Sequence, residues 1–216
     1  MDERLSELTI PELSITRLVE RLATSDPTPG GGSAAAIAGA MGGALVHMVV
    51  ELTTGRPAAA DHEETLREIR TAAAASKTEL LDLAERDAIA YDEVIRARRL
   101  PRDSPPERDA REARLAAAIG EATSVPLATA RAASEVLELA ERLAPIGNRN
   151  AISDVGVAAL LAVTALRGAA LNVQINLPSL TDHDARAEAA REIERLLATV
   201  DDRDRTVRAA VAERLG

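Results

Sequence analysis

One stretch, Pro27 to Leu52 (PTPGGGSAAAIAGAMGGALVHMVVEL), restricts the possible folds of this chain more than any other. Its prolines cannot sit inside a helix. The run after Gly30, Gly31 and Gly32 is Ala, Gly and aliphatic residues without a break, which reads as one helix starting near Ser33. The glycines place bare amides where the unsatisfied N–H groups of a helix start collect, and Ser33 is the expected N-cap. Such an end suits an anion or a polar ligand. Gly39 and Gly43 stand one turn apart, with Ala35 a turn earlier, so one helix face carries almost no side chain and another backbone can lie against it. The helix is therefore expected at the centre of the molecule, with a ligand loop at its head.

Residues around it have to supply a core with very little bulk. Tyr91 is the single aromatic, and much of the apolar 46% is alanine, so thin, closely spaced helices are expected. From Ala59 to Arg99 there is neither glycine nor proline, and Leu66, Ile69, Ala73, Ser76, Leu80, Leu83, Asp87, Ala90 and Val94 keep a helical rhythm. Pro101, Pro105 and Pro106 break it. Glu107 to Leu143 is helical by the same test, with Pro126 in the middle as a kink. Ser153 to Val173 is a further Ala- and Gly-rich helix, with Gly156 and Gly168 as close-contact points. Asn172 to Leu180 reads either as a frayed helix end or as a short extended piece, and Asp182 or Asp184 caps a charged last helix. Before all of these, Ser14 caps a short helix ending at Leu22. The fold class expected is all-α: one domain over residues 1–216, a bundle of long helices with one kinked by proline.

Charge and composition exclude several functions. With 26 basic against 35 acidic residues the chain carries −9, so it is not expected to bind nucleic acid. There is no cysteine for a disulfide or a thiolate metal site. Helical di-metal sites need Glu three positions before His, and His47, His62 and His183 all lack it, so no metal is expected. The acidic start MDERLSELTIPELS lacks the order of a secretory signal, giving a cytoplasmic expectation. Ser33 to Val50 is uncharged and contains a GxxxG, yet Ala and Gly dominate it and its flanks are Asp26 and Glu51, so no membrane span is expected.

Some polar residues fit a plain bundle poorly. Asp87 occupies a seam position where Leu or Ala belongs; either the helix turns it toward an arginine at a rim, or it is a site acid or base with a perturbed pKa. Ser153 and Asp154 open a helix and read as caps or as site residues. Asn148, Asn150, Asn172 and Asn176 bracket that same helix, more asparagines than turns alone require.

Taken together, PTPGGGSAAAIAGAMGGAL, RDAIAYDEV, LPRDSPPERDAR, ATSVPL and GNRNAISDVGVAALLA followed by NVQINL resemble the cyclodeaminase/cyclohydrolase family. This is the family of the cyclodeaminase domain of formiminotransferase-cyclodeaminase and of stand-alone methenyltetrahydrofolate cyclohydrolases. The resemblance implies an all-helical subunit that forms a homodimer, with a folate site in a groove associated with the dimer and no cofactor beyond the tetrahydrofolate substrate. It places Pro29, Gly30, Gly31, Gly32, Asp87, Ser124, Pro126, Asn148, Ser153, Asp154, Asn172 and Asn176 on the family's motif positions. One departure follows the central helix, where members often carry Gly-Lys-Lys and this chain has Gly55-Arg56-Pro57.

On this resemblance, Asp154 or Asp87 is expected as the acid/base. Asn148, Asn172 and Asn176 are expected to hold pterin or amide edges, Ser153 to line the site, and Pro29 to Ser33 to meet an anionic or carbonyl part of the folate. The reaction expected is hydrolysis of methenyltetrahydrofolate; the alternatives are cyclodeamination of formiminotetrahydrofolate and a non-catalytic folate-binding or scaffold role.

Overall fold

The computed structural model describes residues 9–216; residues 1–8, which begin the acidic stretch noted above, lie outside it. Among the described residues every regular element is helical: α1 Ile15–Leu22, α2 Gly31–Thr53, α3 Glu63–Arg98, α4 Pro105–Leu143, α5 Ile152–Asn176 and α6 His183–Leu215. Short 3₁₀ turns lead into α1 and α3 and flank α5.

The glycines of α2 set the packing. A Cβ built on Gly42 would stand 3.0 Å from the Ala158 carbonyl oxygen, and one on Gly43 3.4 Å from that of Ala73. On Gly39 it would stand 3.1 Å from both the Ala165 Cβ and the Leu80 side chain. These contacts run α2 antiparallel to both α3 and α5, with the α5 backbone close enough at Gly42 that a side chain would crowd it and the α3 backbone within contact distance of Gly43. Gly42, which the sequence reading did not single out, is the tightest of the three. From the other side, a Cβ on Gly168 would lie 3.0 Å from that of Ala35, whereas Gly156 meets only Val211 at ordinary contact distance. With α4 antiparallel to α3 and α6 closing over α4 and α5, the molecule is an up-and-down bundle in which α2 packs against α3, α4 and α5 and keeps one face exposed, while α4 meets all four other long helices. Its core is alanine-rich as expected: Ala36, Ala158, Ala159, Ala162, Ala165 and Ala169 are fully buried with Leu66, Leu80, Leu137, Leu143 and Ile152.

Several boundaries differ from the sequence expectation. α2 starts at Gly31 with Gly30 as N-cap, two residues before the expected start, so Ser33 is not a cap. Pro105 and Pro106 do not only break α3; they form the first turn of α4, where a missing N–H costs nothing, and the Glu107 carboxylate accepts from the Ser104 amide at 2.8 Å. α4 continues through Pro126 as one helix. α5 reaches Asn176, which settles the ambiguous segment as helix followed by a 3₁₀ turn. Asp182 caps α6, accepting from the amides of Asp184 and Ala185. Both α2 and α5 are long and apolar enough to cross a membrane by length and composition, and about half of each is buried inside the bundle.

Candidate active site

An antiparallel bundle has two ends, and the polar residues singled out in the sequence divide between them. At one end the start of α2, the C-terminal third of α3 and the end of α5 enclose a cleft of about 410 Å³. Gly30, Gly31, Gly32, Asp87, Asn172 and Asn176 line it, together with Thr28, Tyr91, Arg98 and Ser179.

Asp87 has no arginine paired with it among the described residues, and the rim-pair alternative finds no support there. Its carboxylate is instead set against the first turn of α2: a Cβ on Gly32 would fall 2.2 Å from its Oδ1, so glycine is required there for the acid to be present at all. The Ser33 hydroxyl lies 3.1 Å from Asp87 Oδ2 and 2.8 Å from the Ala84 carbonyl oxygen, and the Ser33 amide also donates to the carboxylate. Burial pushes the Asp87 carboxyl above the usual aspartate range, and the two hydrogen bonds from Ser33 oppose that rise. The α2 N-terminus works in the same direction as those bonds, because its partial positive charge favours the ionised form. Ser33 is fully buried, so it acts on the acid from behind rather than facing the open cleft.

The single hydroxyl proton of Ser33 faces two acceptors, and a carbonyl cannot give one back. When Asp87 is neutral, it donates to Ser33 Oγ while Ser33 donates to Ala84. When Asp87 is ionised, Ser33 turns its proton to the carboxylate. The hydroxyl thus follows the protonation state of the acid without any heavy atom having to move.

The opposite wall is built by a proline. Pro126 has no N–H, so the Ala122 carbonyl one turn earlier loses its helical partner. Asn176 Nδ2 takes that place, donating to Ala122 O at 2.6 Å. Asn172 Nδ2 donates to Gly168 O at 2.9 Å within α5. Each asparagine therefore uses its N–H on a helix carbonyl and keeps Oδ1 as an acceptor, without a partner among the described residues. The wall is matched to a ligand that presents N–H donors. Ala122 and Tyr91 were not named as site residues by sequence reasoning, although the proline that exposes the Ala122 carbonyl was visible. Ser124, two residues from both Ala122 and Pro126, is exposed on another side of the helix and among the described residues bonds only Glu121.

Asn148, Ser153 and Asp154 lie at the other end. Asn148 ties the α4–α5 connection to the end of α2: its amide donates to Thr53 Oγ1 at 2.9 Å, its Nδ2 to Leu52 O at 3.2 Å, and its Oδ1 accepts from Asn150 N. Arg214 fixes the same connection by donating to the carbonyls of Pro145 and Gly147. Ser153 and Asp154 are in the first turn of α5, where Ala151 holds the cap position, so neither caps the helix. Eighteen residues of helix, about 27 Å, separate Asp154 from Asn172. Pro29 is buried beneath the glycine loop. Arg56, which stands at the family's lysine region, is also at the Asn148 end and bonds Leu52 O. A groove of about 350 Å³ on the outer face of α3 and α4 lies between the Arg86–Glu121 and Arg114–Glu93 ion pairs, which already partner its charges.

A family model described as formiminotransferase-cyclodeaminase matches residues 14–195. A methenyltetrahydrofolate cyclohydrolase of Methylorubrum extorquens is 44% identical over 185 residues, covering 86% of this chain and 89% of that protein. The formimidoyltransferase-cyclodeaminase of Sus scrofa is 33% identical over 204 residues, and the chain spans only 38% of its length. Among solved structures, a formiminotetrahydrofolate cyclodeaminase from Thermotoga maritima is similar at a TM-score of 0.84 and 30% identity, covering 94% of this chain and 98% of that one. A match over most of the sequence, a full-length relative and a shared fold all agree, and the chain belongs to the formiminotransferase-cyclodeaminase family.

Proposed function

We propose that this protein hydrolyses the bridge of 5,10-methenyltetrahydrofolate to give 10-formyltetrahydrofolate, with Asp87 as the acid/base. The observation that carries this reading is a lone carboxyl, withdrawn from solvent at the N-terminus of α2, in a cleft whose other wall offers free amide oxygens. A methenyl bridge is an amidinium cation. Placed beside Asp87 it draws the raised pKa down again, so arrival of the substrate itself ionises the base. The carboxylate then takes a proton from water as the water oxygen attacks the bridge carbon. The neutral carbinol collapses as Asp87 returns that proton to N5, the C–N5 bond breaks and the hydroxyl proton leaves to solvent. Ser33 changes its donor direction at each of these two proton transfers, which keeps the buried carboxyl hydrogen-bonded throughout. The Oδ1 atoms of Asn172 and Asn176 suit the ring N–H groups of a pterin. The route uses water and protein acid–base groups and assigns no cofactor beyond the folate.

The full-length likeness to a cyclohydrolase supports hydrolysis; the likeness to cyclodeaminases supports a second reading, in which N10 attacks a formimino carbon and Asp87 protonates the departing ammonia. Both folates supplied to purified protein decide between them. Loss of methenyl absorbance without ammonia release is the expected result. Ammonia release from formiminotetrahydrofolate at a higher kcat/KM would replace the first reading with the second. Tight binding of both folates, with no turnover above background, would leave a binding protein.

A homodimer belongs to the same reading. Met41, Met48 and Leu52 on α2 lie beside Val157, Leu160, Leu171 and Ile175 on α5, all exposed, on a face where the one basic residue of α5, Arg167, is drawn aside to Asp201. An isologous pairing across this face, with its two-fold axis crossing the middle of α5, lays the start of one α5 against the end of the other. Asp154 of the partner subunit then approaches the cleft that its own subunit holds far away. Light scattering of the purified protein tests the pairing: a dimer is expected, and a monomer at micromolar concentration would refute it.

A further inference from the structure

Three cleft residues lie along one stripe of α3. Asp87, Tyr91 and Arg98 are four and then seven residues apart, so eleven residues, about three turns and 16 Å, separate the acid from the arginine along a single face. The α5 wall runs parallel to it. Asn172 and Asn176 stand at the level of Asp87, and Leu180 packs with Val94 and Ala97, which brings Ser179 to the arginine end. The cleft is therefore elongated, with chemically different ends.

Arg98 is the only basic residue lining it among the described residues. Nearby arginines are occupied: Arg96 and Arg114 both pair with Glu93, and Arg86 pairs with Glu121. The Arg98 guanidinium has no ion pair or hydrogen bond among the described residues, while its backbone carbonyl is held by Arg111 from α4. The end of α3 is thus fixed and its side chain is left free toward the cleft. Between the acid and the arginine stands Tyr91, the one aromatic in 216 residues, 42% exposed where a core aromatic would be buried.

Resting on the folate reading, we propose that Arg98 binds the carboxylates of the substrate's glutamate tail and Tyr91 stacks on its benzoyl ring, so that the stripe Asp87–Tyr91–Arg98 fixes which way the folate lies. Guanidinium recognises carboxylate by a bidentate fork, and an aromatic face on an exposed helix is suited to an aryl ring. The order along α3 then matches the order along the substrate: reactive bridge, aryl ring, carboxylates. The ring acceptors on α5 are left for the pterin.

The test uses two substrates, methenyltetrahydrofolate and the corresponding methenyltetrahydropteroate, which lacks the glutamate. In the intact protein the glutamate-bearing compound should have the lower KM. Arg98→Ala should raise KM for it roughly ten- to a hundredfold, with kcat nearly retained, and should erase the difference between the two substrates. Arg98→Lys should restore part of the difference. Tyr91→Ala should raise KM for both substrates alike, since both keep the benzoyl ring, and Tyr91→Phe, which keeps an aromatic face, should recover most of that loss. An Arg98→Ala variant that raises KM equally for both substrates, or for neither, would overturn the assignment while leaving the folate reading intact. Failure of the unmodified protein to bind or turn over either compound would overturn both.

Discussion

At the scale of single residues, Asp87 shows how a site can be built against the stability of its own fold. Its carboxyl is raised by burial, so in the folded state the neutral form is favoured more than in the unfolded chain. That contribution is fully present below the ordinary aspartate pKa and is lost as pH rises through the raised value. Asparagine keeps the shape and cannot ionise. Asp87→Asn should therefore abolish turnover, yet gain in melting temperature over the parent protein as pH is taken from acidic to neutral; a gap between the two that narrows over that range would contradict the burial argument. Ser33→Ala removes a hydrogen bond that favours the ionised acid. The acid limb of kcat/KM should then move to higher pH, read from a pH–rate profile in which an unchanged limb would exclude Asp87 as the titrating base. Asp87 stood out in the sequence as a carboxylate on an apolar seam. Ser33 stood out too, but as a helix cap and a ligand contact; the start of α2 at Gly31 turns its hydroxyl inward onto Asp87 instead.

Helices bring in relations that no residue type announces. Pro126 within α4 and Asn176 at the end of α5 are fifty residues apart in sequence, and they are linked through the Ala122 carbonyl that one releases and the other binds. A double-mutant cycle should show this. Asn176→Ala leaves a polar atom without a partner and should cost about 1–3 kcal/mol in urea denaturation. In a Pro126→Ala background, where residue 126 regains its N–H, the same change should cost about 1 kcal/mol less. Additive effects would mean that the proline and the asparagine are independent. The helices themselves were legible from their period, as was the capping of α1 and α6; the central place expected for α2 was not found, since α4 is the helix that meets all the other long ones. The prolines that open α4 were harder to place, since a proline pair reads as a break from either side, and it takes the Ser104–Glu107 cap to show which helix owns it.

For the whole molecule, the antiparallel bundle imposes a separation. Asp87 with its asparagines and Asp154 with Ser153 and Asn148 occupy opposite ends, and within one subunit they cannot act on the same bond. The proposed two-fold pairing along α5 brings unlike ends together, which leads to a complementation experiment. Asp87→Asn should be inactive alone and Asp154→Asn impaired, since it removes a second negative charge beside the substrate cation, whereas co-expressed and mixed into heterodimers they should recover up to about half the specific activity, because one of the two clefts then has both aspartates intact. Full activity of Asp154→Asn by itself would confine the chemistry to Asp87 and leave Asp154 as a favourable charge in the first turn of α5.

The sequence by itself determined the class of fold, because helical periodicity and the absence of aromatic bulk are local and additive along the chain, and leave only thin helices packed through alanine and glycine. It also singled out candidate site residues, since a carboxylate on an apolar seam and asparagines around one helix are anomalies that need no coordinates to notice. Which of them share a site was decided only in three dimensions. Spacing along α5 already keeps Asp154 and Asn172 apart, but which end of that helix faces Asp87 depends on how the helices pack, and the packing puts Asn172 and Asn176 in the cleft with Asp87 and leaves Asp154 at the far end. The same tertiary arrangement made Tyr91 and Arg98 one wall of the cleft, a wall that spacing alone left indistinguishable from an ordinary solvated face of α3.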